Sequence, residues 1–456
     1  MLKRHFSLME ITIFAVNSIL GLGVFYLMLD VQNNYRIGSY ILFSLLIVYL
    51  LDLSIGYVYG FLGSAYGRSA GEYAFISRMI HPLVGFLLGW AVVFNLIARI
   101  SFYLRVLSLI LKDAFASHLP EHITHFEIGL ILVFIMLLLM MSGARFIIRL
   151  QTAVFFITLL FFLVSSIYMA NHFSLDVFKG NFSSASWKEI FIVATVLFSM
   201  YQGFESVTYV GGEVKNHRKN IPLAIFFSLT IVFLIYFFFA LLIYGTFDLN
   251  AIAEAGSVFK LLPSELSQFL MYALALMLFV KISLGMYSAS RFFYAWGKDK
   301  VLSSIFSLLD KSKSVPWFSI TFIGLMLSFL YLLNLPLISL ATLAAFTTSI
   351  TYFLMSIAAL SLKYRRKHLY SLSSLKFKYD VVIILFVSAV SLLIMYSAAF
   401  IDLKTLSLSL IWMSIGIIIY FFRKEKHNLI EEIEKEMECL KAKMHHSHMP
   451  ANLHEQ

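Results

Sequence analysis

The chain has 456 residues, of which 60% are hydrophobic and 13% are charged, and its formal net charge is +10. Several apolar runs exceed the roughly 20 residues that a helix needs to cross a bilayer. These figures exclude an ordinary soluble protein, so we predict an integral membrane protein. The excess positive charge is expected to lie in cytoplasmic loops rather than to bind nucleic acid. The single cysteine, Cys439, excludes an intrachain disulfide.

Twelve apolar segments are predicted to cross the membrane as helices, because isolated strands cannot satisfy their backbone in lipid. In chain order they are 8–29, 38–62, 82–111, 125–142, 147–170, 189–212, 221–245, 266–296, 316–334, 337–361, 379–400 and 403–423. The first run continues beyond the length of a signal peptide and no small-residue cleavage site closes it. We therefore expect it to be a retained first span.

The charge of the loops predicts the orientation of these segments. If the N-terminus is cytoplasmic, the loops on that side carry far more Lys and Arg than the outer loops. This asymmetry is typical of a multi-pass protein of the cell membrane with both termini in the cytoplasm. An error of one span in the count would place basic loops on both sides of the membrane. The observed asymmetry therefore also favours the count of twelve.

The segment after the last predicted span, residues 424–456, is polar and is predicted to be a cytoplasmic tail. Its apolar residues at helical spacing are Leu429, Ile433, Met437 and Leu440. Such spacing predicts an amphipathic helix. A solvated or membrane-resting helix is the simpler interpretation, and a coiled-coil or gating role is the alternative.

Glycines interrupt the first and the sixth predicted segments. The stretch SILGLGVFYLM contains Gly21 and Gly23, and the sixth segment contains Gly203 beside Gln202 and Glu205. In water, a glycine weakens a helix by about 1 kcal/mol relative to alanine. Glycine-interrupted spans at matching places in two halves of a sequence indicate the midplane binding site of a transporter. The alternative is that these glycines only allow close helix packing.

The two interruptions lie five spans apart, which predicts two repeats of opposite orientation. They cover about 8–170 and 189–361, and two extra helices follow at about 379–423. A broken helix presents N–H groups that favour an anion at the start of its second half. It presents carbonyl groups that favour a cation at the end of its first half. One break of each polarity would bind a zwitterion such as a free amino acid.

Four stretches occur in a familiar order over residues 1–320. They are ILGLGVF (19–25), RSAGEYAFISRMIHPLVGFLLGW (68–90), GFESVTYVGGEVKNHRKNIPLAI (203–225) and ASRFFYAWGKDKVL (289–302). Together they resemble the motifs of the amino acid–polyamine–organocation (APC) transporters, which are amino acid permeases. The resemblance implies an all-α polytopic membrane protein with twelve transmembrane helices and a LeuT-like five-plus-five inverted repeat. It also implies discontinuous first and sixth helices and transport by alternating access.

The resemblance also implies which residues bind the substrate. Those that would hold its carboxylate through their backbone are Ile19, Gly21, Leu22 and Gly23. Those that would hold its amine are Phe198, Ser199 and Tyr201, with Gly203 leaving room at the break. Leu22 stands where the family usually has serine or alanine, so its bulk is expected to reshape the site.

Three polar residues are candidates for gating or coupling. Many proton-coupled members carry a lysine where this chain has Thr158, and the amine of that lysine stands in for a sodium ion. Lys281 lies near the middle of the eighth segment, where an ionisable residue is functional by default. We hypothesise that Lys281 supplies the cation that Thr158 lacks; a structural ion pair is the alternative. Glu205 matches a glutamate tied to gating and proton sensing in the basic amino acid and polyamine antiporters.

Three other charged residues fall within the predicted spans. They are Asp52, Arg99 and Arg105. We interpret them as structural, with Asp52 and Arg99 as a candidate ion pair and Arg105 reaching the outer interface.

The leading functional hypothesis is a secondary active transporter of amino acids, either a proton-linked symporter or an exchanger. An antiporter of basic amino acids or polyamines is the alternative, and a non-transporting membrane receptor or scaffold is the alternative of another class. We expect no enzyme activity, because the predicted spans hold no cluster of catalytic side chains. We also expect no primary pumping by this chain, because no ATP-binding P-loop is present. No cofactor and no metal are expected, and a proton is favoured over sodium as the coupling ion.

Overall fold

The structure, a computed structural model, describes residues 2–116, 118, 120, 122–182, 185–310, 314–334, 337–399, 403–422, 431–436 and 438. Within these residues the chain is all-helical, apart from an isolated β-bridge between Phe6 and Val214. Cys439 and most of the predicted tail lie outside the described residues.

Helices follow one another along the chain with short connections. In the first half they are α1 Leu8–Ile19, α2 Leu27–Tyr35, α3 Ile41–Ala65, α4 Gly71–Met79, α5 Pro82–Ala114, α6 His125–Met141, α7 Ala144–Asn171, α8 Leu175–Gly180, α9 Trp187–Leu197 and α10 Ser206–Tyr209. In the second half they are α11 His217–Thr246, α12 Leu249–Ala255, α13 Val258–Leu261, α14 Ser264–Lys298, α15 Trp317–Leu332, α16 Leu337–Tyr364, α17 Lys367–Tyr370, α18 Asp380–Ala399 and α19 Leu403–Phe421.

Seven stretches of the described chain are long and apolar enough to cross a membrane. They are Gly38–Ala65, Pro82–Ala114, Ala144–Asn171, Trp187–Tyr209, His217–Thr246, Ser264–Lys298 and Phe346–Tyr364. Five shorter apolar helices are Leu8–Ile19, His125–Met141, Trp317–Leu332, Asp380–Tyr396 and Leu410–Phe421. Each predicted segment overlaps one of these stretches, whereas the number of crossings and the inverted repeat stay predictions.

Sequence signals explain where several helices begin. Ser7 precedes α1, and its side chain accepts a hydrogen bond from the Glu10 N–H while the Glu10 carboxylate accepts one from the Ser7 N–H at 2.7 Å. The same reciprocal cap starts α9, where Ser186 pairs with Glu189. These caps satisfy first-turn N–H groups that have no intrahelical partner. Pro82 begins α5, a position at which its missing N–H costs no hydrogen bond.

The helix is interrupted in both glycine-containing segments. After α1 ends at Ile19, a 3₁₀ turn covers Leu22–Val24 before α2 begins. After α9 ends, a 3₁₀ turn covers Phe198–Tyr201 and leads through Gly203 to α10. Helix α14 packs along α5 and also contacts α1, α7 and α10, so it brings its middle to the two breaks.

Candidate functional site

The two helix breaks touch each other through glycine. Gly203 has φ +136°, which side chains rarely adopt, and a Cβ atom there would lie 2.6 Å from the Ser18 carbonyl carbon. Gly23 faces the other break, since its Cβ would lie 2.6 Å from Met200 Cγ. These approaches are too close for any larger residue without movement. The backbones of the two interrupted segments therefore form one contact surface.

Gly21 lies close to a lysine side chain and does not have a backbone conformation that favours glycine. Its φ of −179° and ψ of −150° are extended values that any residue adopts. A Cβ atom at this position would lie 3.0 Å from the ammonium nitrogen of Lys281. The feature that sets Gly21 apart is therefore the close approach of a lysine.

Lys281 places its ammonium group at the carbonyl end of the first broken helix. Its Nζ donates hydrogen bonds to the carbonyl oxygens of Ile19 at 2.8 Å and Leu20 at 3.2 Å. The same atom lies 5.2 Å from the ring centroid of Tyr103, within the range of a cation–π contact. The last carbonyls of a helix lack intrahelical partners and carry negative partial charge, so a cation stabilises them.

A cavity lies beside this ammonium group, between the first break, the sixth break and the middle of α14. Its charged lining residues are Arg99, Glu205 and Lys281. Its other lining residues include Ser18, Tyr103, Gly203, Tyr209 and Ser288. The cavity thus brings together three of the predicted residues, namely Gly203, Glu205 and Lys281.

Glu205 ties the sixth break to α16. Its Oε2 accepts a hydrogen bond from the N–H of Gly203 at 2.7 Å, and its Oε1 accepts one from the Tyr352 hydroxyl. The carboxyl is buried, with 6% of the residue exposed. Each of the two oxygens therefore already has one hydrogen-bond donor.

The remaining predicted site residues lie around the breaks. Leu22 begins the first 3₁₀ turn and is half-buried, while Phe198 and Tyr201 are buried in the second. Ser199 is exposed, and its hydroxyl donates to the Val196 carbonyl at 3.2 Å. Phe198, Ser199 and Tyr201 are not among the residues that line the cavity, so their role stays a prediction.

Thr158 lies on α7 and is buried. Its hydroxyl makes no hydrogen bond within the described residues.

The suggested ion pair between Asp52 and Arg99 is not formed. Arg99 donates to the side-chain oxygen of Gln202 at 3.1 Å. Both carboxyl oxygens of Asp52 are buried without a hydrogen-bond partner in the part of the chain that the structure describes. Arg99 therefore bonds to Gln202, the polar residue beside the sixth break, and not to Asp52. The spacing of the residues in the sequence does not indicate this partner.

Sequence reasoning also missed two ion-pair clusters, although their residues lie in the quoted motifs. Arg291 of α14 donates from Nε to Glu213 at 2.7 Å, and the Tyr287 hydroxyl donates to the same carboxylate at 2.6 Å. Both charged partners are almost fully buried. The motif after the sixth segment and the motif of the eighth segment are thereby joined.

The second cluster joins the loop after α3 to the end of α14. Asp299 pairs with Arg68 at 2.8 Å and with Arg78 at 2.7 Å. Burial alone would raise the pKa of Asp299, but the guanidinium groups of Arg78 and Arg68 outweigh it and hold the pKa below its ordinary value.

The described part of the tail docks on this second cluster. The carboxylate of Glu436 accepts hydrogen bonds from Arg68 at 2.7 Å and from the Tyr66 hydroxyl at 2.7 Å. Ile433 is 4% exposed, and Glu432 pairs with Lys300 at 3.0 Å. The tail segment 431–436 is therefore packed against the body of the protein and is not a free solvated helix.

Comparison with known proteins places this arrangement in context. A family described as "Amino acid permease" matches residues 6–422. The chain is 22% identical to the methylthioribose transporter of Bacillus subtilis (strain 168), over 94% of this chain and 95% of that protein. It is also 22% identical to the branched-chain amino acid permease BcaP of the same organism, with the same coverage. It is 22% identical to human cationic amino acid transporter 4, over 76% of this chain and 58% of that protein.

Proposed function

Because the chain belongs to the amino acid permease family, we propose that it carries amino acids across the cell membrane by alternating access, as a proton-linked symporter or an exchanger. The family and the relatives make the chain an amino acid transporter and not an enzyme. The observation that carries the finer proposal is the ammonium group of Lys281 on the carbonyls of Ile19 and Leu20, next to a cavity between two broken helices.

The substrate carboxylate would bind at the N–H end of the first break. The carbonyl end of α1 is already occupied by Lys281, whereas the N–H groups at Gly21, Leu22 and Gly23 start the next turn. The first N–H groups of a helical turn have no intrahelical partner and favour an anion. The substrate amine would then bind to the carbonyls of the sixth break at Phe198, Ser199 and Tyr201, with Gly203 providing space.

Lys281 would act as a cation that holds the end of α1 in place. The ammonium form attracts the two carbonyl groups, and the neutral amine would attract them only weakly. Loss of a proton from Lys281 would therefore release the end of α1 and link proton movement to the first break. This role corresponds to that of the amine that the family places at the position of Thr158.

Glu205 would give the sixth break its own dependence on protons. A proton on Oε2 would weaken the acceptor of the Gly203 N–H, and a proton on Oε1 would weaken the acceptor of the Tyr352 hydroxyl. Either change alters the backbone support at the break. We assign Glu205 a gating role on this basis.

The predicted architecture completes the proposal. Residues 1–423 would form one transporter domain with inverted repeats at about 8–170 and 189–361, and both termini would be cytoplasmic. The excess of basic residues in the loops of that side supports this orientation.

An antiporter of basic amino acids or polyamines is the second candidate. The name of human cationic amino acid transporter 4 and the match of Glu205 to that branch favour it. Arg99 and Lys281 both line the cavity and would repel a second positive charge. We therefore place neutral amino acids first.

Purified protein in proteoliposomes tests the proposal. Counterflow of twenty labelled amino acids, several polyamines and methylthioribose would identify the substrate, and uptake under a proton or a sodium gradient would identify the coupling ion. A non-transporting receptor or scaffold would bind a ligand and give no counterflow with any of them.

Substitution of Lys281 tests its role in coupling. Lys281→Met should lose uptake driven by a proton gradient, whereas Lys298→Met should not, because Lys298 is an exposed residue at the end of the same helix. Normal transport by Lys281→Met with unchanged pH dependence would refute the assigned role. Partial rescue of Lys281→Ala by methylammonium would show that the missing element is a cation.

A further inference from the structure

We propose that Glu72 is a second proton-carrying carboxylate, which exchanges its proton with Glu205 across a small polar cavity on the cytoplasmic side of the sixth break. This inference rests on the proton-linked transport proposed above. The resemblance to known permeases assigned no role to Glu72, which lies in the motif RSAGEY.

The first support is a cavity that contains both carboxylates. It lies between α3, α4, α5, α10 and α16, and its lining includes Tyr59, Glu72, Asn95, Arg99, Glu205 and Tyr352. Arg99 and Glu205 also line the cavity beside Lys281. The two cavities therefore have Arg99 and Glu205 in common. Glu72 lines the second cavity but not the first.

The second support is an unused oxygen atom on Glu72. The residue is 1% exposed. Its Oε1 accepts a hydrogen bond from the Tyr59 hydroxyl at 3.0 Å. Its Oε2 and the side-chain oxygen of Asn95 make no hydrogen bond within the described residues. A buried carboxyl oxygen without a donor is costly when charged, so a proton is favoured there.

The third support is the matching arrangement of two tyrosines. Tyr59 donates to Glu72, and Tyr352 donates to Glu205. The two tyrosine rings pack edge to face with their centroids 5.9 Å apart. Each carboxylate thus accepts a hydrogen bond from a tyrosine hydroxyl, and the rings of these two tyrosines are in contact.

The charges that face Glu72 favour one shared proton. From the elements packed around it come Tyr59 of α3, Arg99 of α5, Glu205 beside α10, Tyr209 of α10 and Tyr352 of α16. Arg99 and Lys281 line the cavity beside Glu205, whereas the neighbouring charge of Glu205 disfavours the ionisation of Glu72.

Titration in the neutral range agrees with this geometry. Glu72 lies on α4, between the second and third spans. Burial raises its pKa to about 8, with a smaller contribution from the charge of Glu205. A group with this pKa changes its protonation state near physiological pH.

The transfer moves one proton from Glu72 to Glu205. The O–H bond on Glu72 Oε2 breaks, a new O–H bond forms on one oxygen of Glu205, and the negative charge moves to Glu72. The protonated oxygen of Glu205 is then a weaker acceptor for its present donor, which is either the Gly203 N–H or the Tyr352 hydroxyl. A proton from the cytoplasmic side would thereby act on the sixth break.

The test compares Glu72→Gln with wild type in proteoliposomes that contain a pH-sensitive dye. Glutamine keeps an oxygen acceptor for the Tyr59 hydroxyl but carries no exchangeable carboxyl proton. We expect counterflow to remain within about twofold, while uptake driven by a proton gradient and the linked proton flux fall at least tenfold. Glu254→Gln is the control, because Glu254 is an exposed carboxylate and should behave as wild type.

Two results would overturn the inference without touching transport itself. One is a proton flux in Glu72→Gln that equals that of the wild-type protein. The other is uptake by the wild-type protein that requires sodium and moves no proton. Absence of counterflow in the wild type would instead refute the proposed function.

Tyr59→Phe keeps the inference testable if Glu72→Gln does not fold. Loss of the hydroxyl removes a hydrogen bond that stabilises the charged form of Glu72. The midpoint of the pH–uptake profile should move to higher pH, and an unmoved midpoint would overturn the role of Glu72.

Discussion

Gly203 lies against the carbonyl group of Ser18, so close that a Cβ atom at position 203 would stand 2.6 Å from the Ser18 carbonyl carbon. Gly203→Ala should therefore destabilise the protein. A side chain at this φ costs roughly 1–3 kcal/mol, and forced overpacking adds about 1–3 kcal/mol. Thermal unfolding in detergent, followed by size-exclusion chromatography, measures the loss.

Gly256→Ala is the matched control for this prediction. Gly256 also has a positive φ, +63°, but among the described residues nothing beyond its chain neighbours comes within 4 Å of the place where its Cβ atom would stand. It should show only the conformational cost. Equal losses in the two variants would mean that the contact between the breaks adds nothing.

Gly21→Ala should weaken transport because it crowds the ammonium group of Lys281. The added Cβ atom would lie 3.0 Å from Nζ, which is tighter than an ordinary contact. The lysine would move away from the carbonyls of Ile19 and Leu20, and we expect a several-fold fall in proton-driven uptake.

A double-mutant cycle separates this crowding from a general effect on the helix break. The cycle is measured by counterflow, because removal of the Lys281 ammonium group is already expected to abolish proton-driven uptake. In a Lys281→Ala background, Gly21→Ala has no ammonium group to displace and should cause little further loss. Independent, additive losses in transport would contradict the proposed link between the two residues.

Arg291→Met should be strongly destabilising, by about 3–5 kcal/mol, because it leaves the buried carboxylate of Glu213 without its cation. Glu213→Gln in the same chain removes that charge and should recover part of the stability. Thermal unfolding of the two single variants and the double variant checks the expectation. A double variant no more stable than Arg291→Met would argue against an uncompensated charge as the cause.

Asp299 should make the protein sensitive to acid. Its pKa is held below the ordinary value by Arg78 and Arg68, so its stabilising contribution is present above the unfolded-state pKa and is lost as pH falls through the lower folded-state value. Thermal unfolding is measured from pH 6 downwards. The unfolding temperature should fall less steeply with decreasing pH in Asp299→Asn than in the wild-type protein. An identical decline in the variant would assign acid sensitivity to other groups.

Glu436→Gln should loosen the docked tail. It weakens ion pairs with Arg68 and Arg78 that are partly shielded from water. Hydrogen exchange of residues 431–436, followed by mass spectrometry, should become several-fold faster. Glu431→Gln is the control, since Glu431 is exposed and pairs with Lys435 within the tail; similar acceleration in both variants would contradict docking through Glu436.

The helical elements were largely predictable because long apolar runs and capping residues are local signals. The first and sixth interruptions also followed from local signals, since glycine and polar residues mark them. Lys281 was identified from its depth in an apolar run, which is a property of composition alone.

Contacts between distant segments were not predictable in the same way. The bond from Lys281 to Ile19 depends on how α14 packs against α1, and a single sequence contains no measure of that packing. For the same reason, Arg99 was suggested as a partner for Asp52 but bonds to Gln202. Glu72 carries no comparable signal because its motif lies in a predicted loop, where an acidic residue is ordinarily solvated.

The attachment of the Lys281 ammonium group to the chain has a consequence for the first break. A tethered ligand meets its site at an effective concentration set by the tether and not by the surrounding solution. A free ion would have to compete with a cation that cannot diffuse away from the Ile19 and Leu20 carbonyls. We therefore expect the occupancy of that end of α1 to be insensitive to the salt composition on either side of the membrane; under the role proposed for Lys281, pH is the external variable that controls it.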